Sequence, residues 1–190
     1  MNKMEPLTST ELLNVLRLAK LESERDHAML LICDGHAMRA SECGSLLLSD
    51  VSVKDQTIRI RRTKGSLDTV EKLMPNSNRL LDERKTLENW LRLRPTDSPY
   101  LFTSRKHHQL TRVQVHRIYR YYAIKAGLPG TKLGVHALKH SISQHGHDRG
   151  IDIEVLRVMM GHKLITSTQR YFEVTQAQAD AARHAAVLSI

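Results

Sequence analysis

The sequence predicts an α+β domain that is mostly helical and contains a small three-stranded antiparallel sheet. Two observations favour this class. Apolar residues recur at helical spacing before residue 50 and again after residue 79. Between these stretches, from Val51 to Leu73, the pattern changes to short alternating or β-branched runs separated by turn residues. A chain of 190 residues is long enough for one domain with a sizeable core.

The first part of the chain predicts three helices. The helix from Leu7 to Lys20 begins with Thr8 and Glu11 at the spacing of a capping box. A second helix runs from about Glu24 to Asp34, where a glycine ends it. A tight turn then leads into a third helix that extends through residues 46–48.

The middle of the chain predicts three antiparallel strands joined by two turns. The strands are Val51–Val53, Thr57–Ile60 and Thr69–Leu73. The turns are residues 54–56 and 63–66, and the second turn carries Lys64. Three strands packed on helices are enough for a small stable sheet.

Helices return for the rest of the chain. They are Arg79–Leu93, Val113–Ile124, His136–Asp148, Ile153–Met160 and Gln176–Leu188. Pro95 terminates the first of them, Thr111 caps the second and Asp152 caps the fourth. We expect residues 1–175 to form one domain and residues 176–190 to form a C-terminal helix.

Positive charge is concentrated in one part of the chain. The net charge is +9, and the stretch from Ser98 to His147 contains no Asp or Glu. That stretch holds eight Lys or Arg residues and seven of the eleven histidines. It would repel itself unless it faced something anionic, which indicates nucleic acid as a partner. A solvated basic face is the alternative on composition alone.

Nothing in the sequence indicates a membrane or an oxidising compartment. No apolar run approaches the roughly 20 residues that span a bilayer, and residues 1–6 lack the apolar region of a signal peptide. Cys33 and Cys43 stand in apolar surroundings without a CxxC pair, which predicts buried, reduced thiols. We therefore expect a cytoplasmic protein.

Three interpretations compete for the polar residues. His136 and His140 lie four residues apart on one helix face, which suits a metal ion. However, Ala137 breaks the H-E-x-x-H zinc pattern, and the surrounding stretch has no carboxylate or cysteine to complete a ligand set. We therefore expect no metal site. A purely structural role is the second interpretation for any one of these histidines.

The third interpretation is phosphoryl transfer without a metal ion. Its transition state spreads negative charge over the non-bridging oxygens, so cations or donors must be held there in advance. Without carboxylates to hold magnesium, these groups must be Arg, Lys and His. The nucleophile must then be a side chain that forms a covalent ester. Tyrosine is one, although its phenol has a pKa of about 10 and needs help from its neighbours.

Five pieces of the sequence, in this order and at this spacing, resemble the catalytic domain of the tyrosine recombinase (phage integrase) family. They are residues 35–42 (GHAMRASE), Lys64 in a turn, residues 136–141 (HALKHS), Gly161-His162, and Tyr171 nine residues after the last histidine. Each piece alone is weak, but five in the right order are specific. The match extends from Leu7 to Val174.

The resemblance implies a role for each piece. Arg39 and His162 would bind the scissile phosphate, and His136 would assist as an acid–base group and phosphate ligand. Lys64 would be the general acid that protonates the leaving 5′ oxygen. Tyr171 would attack the phosphate, forming a 3′-phosphotyrosine and a 5′ hydroxyl, and the hydroxyl of a partner strand would reverse the step. The family implies no metal, no ATP and no other cofactor.

Lys139 departs from the family pattern, which has a second arginine three residues after the histidine. The i, i+3 spacing still places Lys139 on the same helix face as His136. The positive charge is kept, but the planar bidentate fork is lost. We expect Lys139 to take the place of the second arginine; a weakened or specialised family member is the alternative. Glu42, which follows Arg39, is interpreted as support for that arginine.

The resemblance also implies a surface that contacts double-stranded DNA. The candidate DNA-binding residues are Arg112, Arg117 and Arg120 on a predicted helix and Arg59, Arg61 and Arg62 on the predicted sheet. Most of them would position the DNA backbone rather than read bases. Tyr119, Tyr121 and Tyr122 are interpreted as packing residues with phosphate contacts, not as nucleophiles.

Typical family members carry a further helical domain that clamps the other face of DNA, whereas here the catalytic pattern begins at Leu7. We expect a short single-domain member, similar to the fimbrial phase-switch recombinases; an excised catalytic domain is the alternative. The resemblance implies a homo-tetramer on two DNA sites and a monomer or dimer when free. The 176–190 helix would dock into the neighbouring protomer.

The sequence as a whole predicts site-specific DNA strand exchange through a 3′-phosphotyrosyl intermediate, for integration, excision or inversion. Two alternatives remain open. A type IB topoisomerase-like enzyme shares the chemistry but relaxes supercoils. A catalytically weakened DNA-binding protein keeps the fold, with Lys139 as its first lesion.

Overall fold

The computed structural model describes residues 5–63, 67–95 and 97–169. Within these ranges it has the predicted α+β class, mostly helical with one small sheet. The helices are α1 (Ser9–Glu22), α2 (Glu24–Gly35), α3 (Ala40–Gly44), α4 (Glu83–Leu93), α5 (Arg112–Lys125), α6 (His136–Asp148), α7 (Ile153–Met159) and α8 (Ile165–Gln169). The strands are β1 (Val51–Ser52), β2 (Thr57–Ile60) and β3 (Thr69–Lys72), and 3-10 turns occupy Leu48–Asp50 and Gly130–Lys132.

Helix α2 lies at the centre of the core. Its residues 26–34 are all buried, as expected of a helix with neighbours on every side. Helices α1, α4 and α6 pack against it, and α5 packs against α1 and α3. Because α2 is held on all sides, the turn at its C-terminal end has a fixed position.

The sheet has the predicted antiparallel order β1-β2-β3. Ile58 and Ile60 on β2 are fully buried, whereas Arg59 between them is exposed, as the two-residue period of a strand requires. Ile60 pairs with Thr69 at the end of the β2–β3 ladder. One face of the sheet therefore packs on the core, and the chain leaves β2 close to the end of α2.

The third predicted helix is shorter than expected. It ends at Gly44 instead of extending to residue 48. The backbone beyond it bonds to another segment: the Leu46 carbonyl accepts from Leu101 N–H at 2.8 Å, and Leu48 N–H donates to the Pro99 carbonyl at 2.8 Å. These long-range bonds replace the intrahelical ones, so the prediction of a longer helix was wrong.

The helix predicted from Arg79 begins instead at Glu83. Asp82 is its N-cap, with a side-chain oxygen that accepts from the N–H of Lys85 at 3.0 Å. By contrast, the other predicted caps are correct: Thr8 and Thr111 each form a capping box, and Asp152 caps α7.

Two further predictions concern the interior and the membrane. Cys33 and Cys43 are buried free thiols, as predicted. No helix in the described ranges is long and apolar enough to cross a bilayer. The predicted C-terminal helix at residues 176–190 lies outside the described residues.

Candidate active site

The turn between α2 and α3 positions Arg39. Helix α2 ends at Gly35, where a Cβ atom would lie 2.2 Å from Glu83 Oε1, so a larger residue would displace that buried carboxylate. Ala37 follows with a φ of 47°, a left-handed conformation that redirects the chain. Arg39 is then the N-cap residue of α3, and its side chain is 22% exposed. Its guanidinium is anchored by Glu42 and remains partly exposed.

Glu42 anchors Arg39. Its Oε1 accepts from Arg39 Nη1 at 2.7 Å, and its Oε2 accepts from the Arg39 main-chain N–H at 2.8 Å. Thr63 donates its N–H and its hydroxyl to Oε1, each at 3.0 Å. Burial alone would raise the pKa of Glu42, but these donors and the charge of Arg39 lower it to about 2. Glu42 is therefore a buried carboxylate that stays charged.

Helix α6 presents His136 and Lys139 very differently, although they are three residues apart. His136 is the first residue of α6 and is exposed, whereas Lys139 is only 2% exposed. Lys139 Nζ donates to the Met160 carbonyl at 3.1 Å. Burial, and then the charges of Arg39 and Arg62, lower the pKa of Lys139 to about 7. The lysine at the expected arginine position is thus a buried amine that loses its proton easily.

His162 follows α7 and a glycine. Gly161 has a φ of 64°, in the region that favours glycine. The His162 side chain is buried, and its Nδ1 lies 3.0 Å from the hydroxyl oxygen of Thr168 in α8. Burial, and then the charges of Lys139 and two arginines, lower the pKa of His162 to about 4. At neutral pH this imidazole is neutral and can donate only through the nitrogen that carries its proton.

The four predicted catalytic residues within the described ranges lie in one cluster. Burial lowers the pKa of His136, and the charges of Lys139 and Arg39 lower it further. The same two cations act on His162. Hydrogen bonds hold these segments together: Lys139 donates to the Met160 carbonyl, two residues before His162, and Arg62 Nη2 donates to both the His36 and the Met159 carbonyls. His136 lies one helical turn before Lys139 on α6.

The other two predicted catalytic residues, Lys64 and Tyr171, lie outside the described residues. Described residues that are close to each of them in sequence nevertheless contact the cluster. Thr63, next to Lys64, bonds to Glu42, and Thr168, three residues before Tyr171, bonds to His162.

Some residues of the cluster were not singled out from the sequence. His116 lies one turn after Arg112 on α5, and the charges of both act on His136. The i, i+4 spacing of these two residues was a usable signal. No sequence signal identified Thr168, or the Met160 carbonyl that accepts from Lys139, because both depend on how α7 and α8 pack.

The arginines predicted to contact DNA on α5 are at the surface. Arg112, Arg117 and Arg120 are exposed, and none of their side chains forms a hydrogen bond or ion pair with a described residue. Arg59 on β2 is also exposed. These four guanidinium groups are available to a ligand.

The two arginines that follow β2 have opposite environments. Arg61 is 48% exposed at its side chain and pairs with Asp50 at 2.6 Å. The Arg62 side chain is 0% exposed and donates only to protein acceptors. A buried guanidinium has no surface to offer DNA, so the prediction for Arg62 was wrong. The two-residue period of β2 contained the correct signal, because it places Arg62 on the buried face with Ile60.

Two of the three tyrosines of α5 are packing residues, as predicted. The Tyr119 hydroxyl donates to the Lys132 carbonyl at 2.7 Å, and the Tyr122 hydroxyl donates to Asp26 Oδ2 at 3.1 Å. Burial raises the pKa of both phenols, so neither is a ready nucleophile. Tyr121 is exposed, with Lys125 Nζ 5.7 Å from its ring centroid.

The cluster combines fixed donors with a buried countercharge. Arg39 offers a partly exposed fork, His136 an exposed imidazole, and His162 a neutral ring oriented by Thr168. Such an arrangement suits an oxyanion with several oxygens, which accepts charge-assisted hydrogen bonds. Within the described ranges, no three histidine, cysteine or carboxylate side chains are grouped so that they could hold a metal ion.

Comparisons with known proteins agree with the motifs. The model of the phage integrase family matches residues 5–178. Tyrosine recombinase XerA of Pyrococcus furiosus is 33% identical over 172 residues, which cover 89% of this chain and 57% of XerA. The type 1 fimbriae regulatory protein FimE of Escherichia coli K12 is 33% identical over 154 residues, covering 77% of this chain and 73% of FimE. The chain spans 57% and 47% of the lengths of XerA and of a XerC from Erythrobacter litoralis.

Solved structures share the fold. The crystal structure of a XerA recombinase superimposes with a TM-score of 0.79 at 23% identity, over 96% of this chain and 65% of that one. XerH bound to a palindromic difH substrate gives a TM-score of 0.76 at 21% identity, over 96% of this chain and 53% of that one. The motif order, the cationic cluster, the shared fold and the match over most of the sequence lead to one conclusion: the chain belongs to the phage integrase family.

Proposed function

We propose that this chain is a catalytic domain that cleaves and rejoins DNA strands at specific sites through a 3′-phosphotyrosyl intermediate. The observation that carries the proposal is the cluster of Arg39, His136, Lys139 and His162, which hydrogen bonds assemble from three separate segments. Preorganised donors of this kind stabilise the charge that develops on a phosphodiester during transfer. Similarity to proteins named tyrosine recombinase XerA and FimE supports the same chemistry.

In the proposed cleavage step, Tyr171 Oη attacks the scissile phosphorus while the bond from phosphorus to the 5′ oxygen breaks. His136 takes the phenol proton, and its lowered pKa leaves it neutral and able to do so at pH 7. Lys64 gives a proton to the leaving 5′ oxygen. The phosphotyrosine keeps the bond energy, so a 5′ hydroxyl from a partner strand rejoins DNA without ATP.

Arg39 and His162 are proposed to bind the non-bridging oxygens. Glu42 holds Arg39 in one orientation, which limits the reorganisation needed when phosphate arrives. Thr168, by donating its hydroxyl to His162 Nδ1, would place the ring proton on Nε2. His162 would then be a neutral donor toward the phosphate.

Lys139 is proposed to supply the second phosphate-binding cation. Its burial and its bond to the Met160 carbonyl also favour a second candidate function, a catalytically weakened DNA-binding protein. Substitution separates the two. If Lys139 acts in catalysis, Lys139→Met abolishes strand cleavage by the folded protein; if Lys139 only supports the fold, the same variant leaves the cleavage rate of the folded protein unchanged.

Double-stranded DNA is the proposed substrate, and it would lie along the exposed face of α5. The arginines proposed to contact it are Arg59, Arg61, Arg112, Arg117 and Arg120. Their exposure supports phosphate contacts that position the duplex. Action on DNA and two buried free thiols support a cytoplasmic location.

A homo-tetramer on two DNA sites is the proposed active assembly, with a monomer or dimer in the absence of DNA. An apolar cavity of about 300 Å³ between β3, α6 and α7 supports a protein contact there, since Val158 and Met159 at its edge are exposed. We propose that residues 176–190 of one protomer are exchanged into its neighbour.

A nicked suicide duplex tests the function directly. Such duplexes, made from inverted repeats in the DNA that flanks the gene, trap a covalent adduct because a short strand diffuses away after cleavage. We expect wild-type protein to form a denaturation-resistant adduct and Tyr171→Phe to form none. A wild-type chain without an adduct on any of these duplexes contradicts the proposal.

Two further experiments are informative. The first separates the role of Lys64 from that of Arg39, and the second tests the topoisomerase-like alternative. With a 5′-phosphorothiolate at the scissile bond, the leaving thiolate needs no proton, so this substrate should restore cleavage by Lys64→Ala but not by Arg39→Ala. Relaxation of a supercoiled plasmid that lacks the repeats would favour the type IB topoisomerase-like alternative.

A further inference from the structure

A series of side chains with alternating charge extends from the candidate active site into the protein. It consists of Arg39, Glu42, Arg62, Glu71, His36 and Glu83, and each group contacts the next at 2.7, 3.4, 3.0, 2.7 and 3.3 Å. Only Arg39 belongs to the proposed catalytic residues. Arg62 lies in the middle of this series of charged side chains, and its own side chain is fully buried.

The Arg62 guanidinium binds the backbone of the turn that leads to Arg39. Nη1 donates to the Ala37 carbonyl at 3.3 Å, and Nη2 donates to the His36 carbonyl at 3.0 Å. Nη1 also lies 3.4 Å from Glu42 Oε2, the carboxylate that anchors Arg39. Arg62 therefore bonds both the backbone before Arg39 and the side chain beside it.

The same guanidinium holds the segment that leads to His162. Nη2 donates to the Met159 carbonyl at 3.3 Å, at the end of α7. Gly161 packs flush on the Arg62 side chain, because a Cβ there would lie 2.7 Å from Nε. The Gly161 carbonyl in turn accepts from the N–H of Leu67 at 3.3 Å, which ties this segment to the residues that lead into β3.

We propose that Arg62 is a positioning residue that fixes the Arg39 segment and the His162 segment at one separation, so that both side chains reach the same phosphate. The proposal rests on the function proposed above. Arginine suits this task because its planar fork carries five donors and can serve several acceptors at once. Glu42 and Glu71 balance its charge, which makes its burial tolerable.

Three variants test the role of Arg62. Arg62→Lys keeps the charge but loses the fork, so one ammonium cannot hold both segments. Gly161→Ala keeps Arg62 but adds a methyl group 2.7 Å from its Nε, at a φ of 64° that also strains the turn before His162. Arg94→Lys is the matched control, because Arg94 is also buried and its Nη2 donates to the Ser98 and Tyr100 carbonyls at 2.6 and 3.1 Å, away from the cluster.

The main measurement is the single-turnover rate of adduct formation at saturating suicide DNA, well below the melting temperature of each variant. We expect Arg62→Lys and Gly161→Ala to react roughly 10- to 100-fold more slowly than wild type, because a misplacement of about 1 Å can cost that much. Arg94→Lys should keep the wild-type rate even if it melts earlier. A rate for Arg62→Lys within about twofold of wild type would falsify the proposal.

DNA affinity as a function of salt distinguishes positioning from contact with DNA. A positioning residue leaves the slope of log affinity against log salt unchanged, whereas loss of one phosphate contact reduces its magnitude by about 1. A reduced slope in an Arg62→Met variant, which removes the charge, would therefore overturn the proposal.

An NMR titration of the histidines in the free protein needs no DNA cleavage. The pKa of His162 is about 4 in the wild type, and we expect it to move upward toward its ordinary value in Arg62→Lys as the segment loosens and water enters. An unchanged pKa would overturn the tie between the segments. This result is obtained even if wild-type protein forms no adduct, so failure of the proposed function and failure of the Arg62 proposal are distinguishable.

Discussion

The molecule holds positive charge in two contrasting regions. Around Glu42, the guanidinium groups of Arg39 and Arg62 and the amine of Lys139 are buried or half-buried, and each is bonded to a carboxylate or a carbonyl. On α5, three arginines stand exposed without a bond to any described residue. The first region has fixed geometry, and the second has side chains that are free to adapt.

The physical cause of this difference is burial. A charge removed from water must be paired and hydrogen-bonded, so its position is determined by its partners. An exposed charge keeps its water and its rotamers until a ligand arrives. The contrast teaches that fixed donors suit a transition state, which tolerates little misplacement, whereas mobile ones suit the long and repetitive backbone of DNA.

The largest expected effect comes from removing the carboxylate of the buried region. Glu42→Gln leaves the buried charges of Arg39 and Arg62 without their shared counterion, which should cost about 3–5 kcal/mol in the free energy of unfolding. Urea denaturation at pH 7 measures this loss. As a control, Glu154→Gln removes an exposed partner of Arg157 and should cost about 0.5 kcal/mol or less.

The pH dependence of the same variant gives an independent check. The pKa of Glu42 falls from 4.5 to about 2 on folding, so its stabilisation is present above pH 4.5 and is lost as the pH falls toward 2. The difference in stability between wild type and Glu42→Gln should shrink over that window. A difference that stays constant would contradict a charged, buried Glu42.

The next largest effect concerns His36, which lies between Glu71 and Glu83. Burial alone would lower its pKa, but the two carboxylates raise it to about 9. Its stabilisation is therefore fully present below pH 6.5 and is lost as the pH rises through 9, a contribution of about 2–3 kcal/mol. Urea denaturation from pH 6 to 10 should show this decline in wild type and in the exposed control His108→Gln, and no such decline in His36→Gln.

A smaller effect is expected when the amine of Lys139 is replaced by a guanidinium in Lys139→Arg. The pKa of Lys139 is about 7, whereas a guanidinium stays charged to above pH 12. The cleavage rate of Lys139→Arg divided by that of wild type should therefore rise with pH, by up to about tenfold per unit above the wild-type midpoint. The ratio cancels the ionisation of Tyr171, and bound phosphate should shift the midpoint upward. A ratio that is flat from pH 6 to 9 would contradict the buried amine.

The smallest effect on stability is expected on the exposed face of α5. Arg117→Ala should change the free energy of unfolding by no more than about 0.5 kcal/mol. It should weaken DNA binding by a few fold and reduce the salt slope by about 1. Arg79→Ala, an exposed arginine outside α5, is the matched control and should leave the slope unchanged. Equal salt slopes for wild type, Arg117→Ala and Arg79→Ala would show that Arg117 does not contact DNA.

Local patterns in the sequence determined most of the fold. Thr8, Thr111 and Asp152 each satisfy backbone N–H groups within three residues, so their caps could be identified without tertiary information. The same holds for the alternation of Ile58, Arg59 and Ile60 in β2. The order and spacing of the five motifs were enough to indicate the family that the comparisons confirm.

Arg61 and Arg62 mark the limit of such reasoning. They are adjacent and identical in type, and both were predicted to face DNA, yet one is at the surface and the other is inside. The two-residue period of the strand places adjacent residues on opposite faces. The general preference of arginine for the surface pointed the other way, and it fails where carboxylates and carbonyls are gathered to receive a guanidinium.

What only the tertiary structure decided is which groups receive these charges. The partners of Arg62 come from α3, β3 and α7, up to 97 residues away in sequence, and the partner of Lys139 is a backbone carbonyl. No side-chain pattern encodes a carbonyl acceptor. Its availability depends on where a helix ends and how that end packs, so the sequence determined which charges exist, and packing alone determined which of them are fixed.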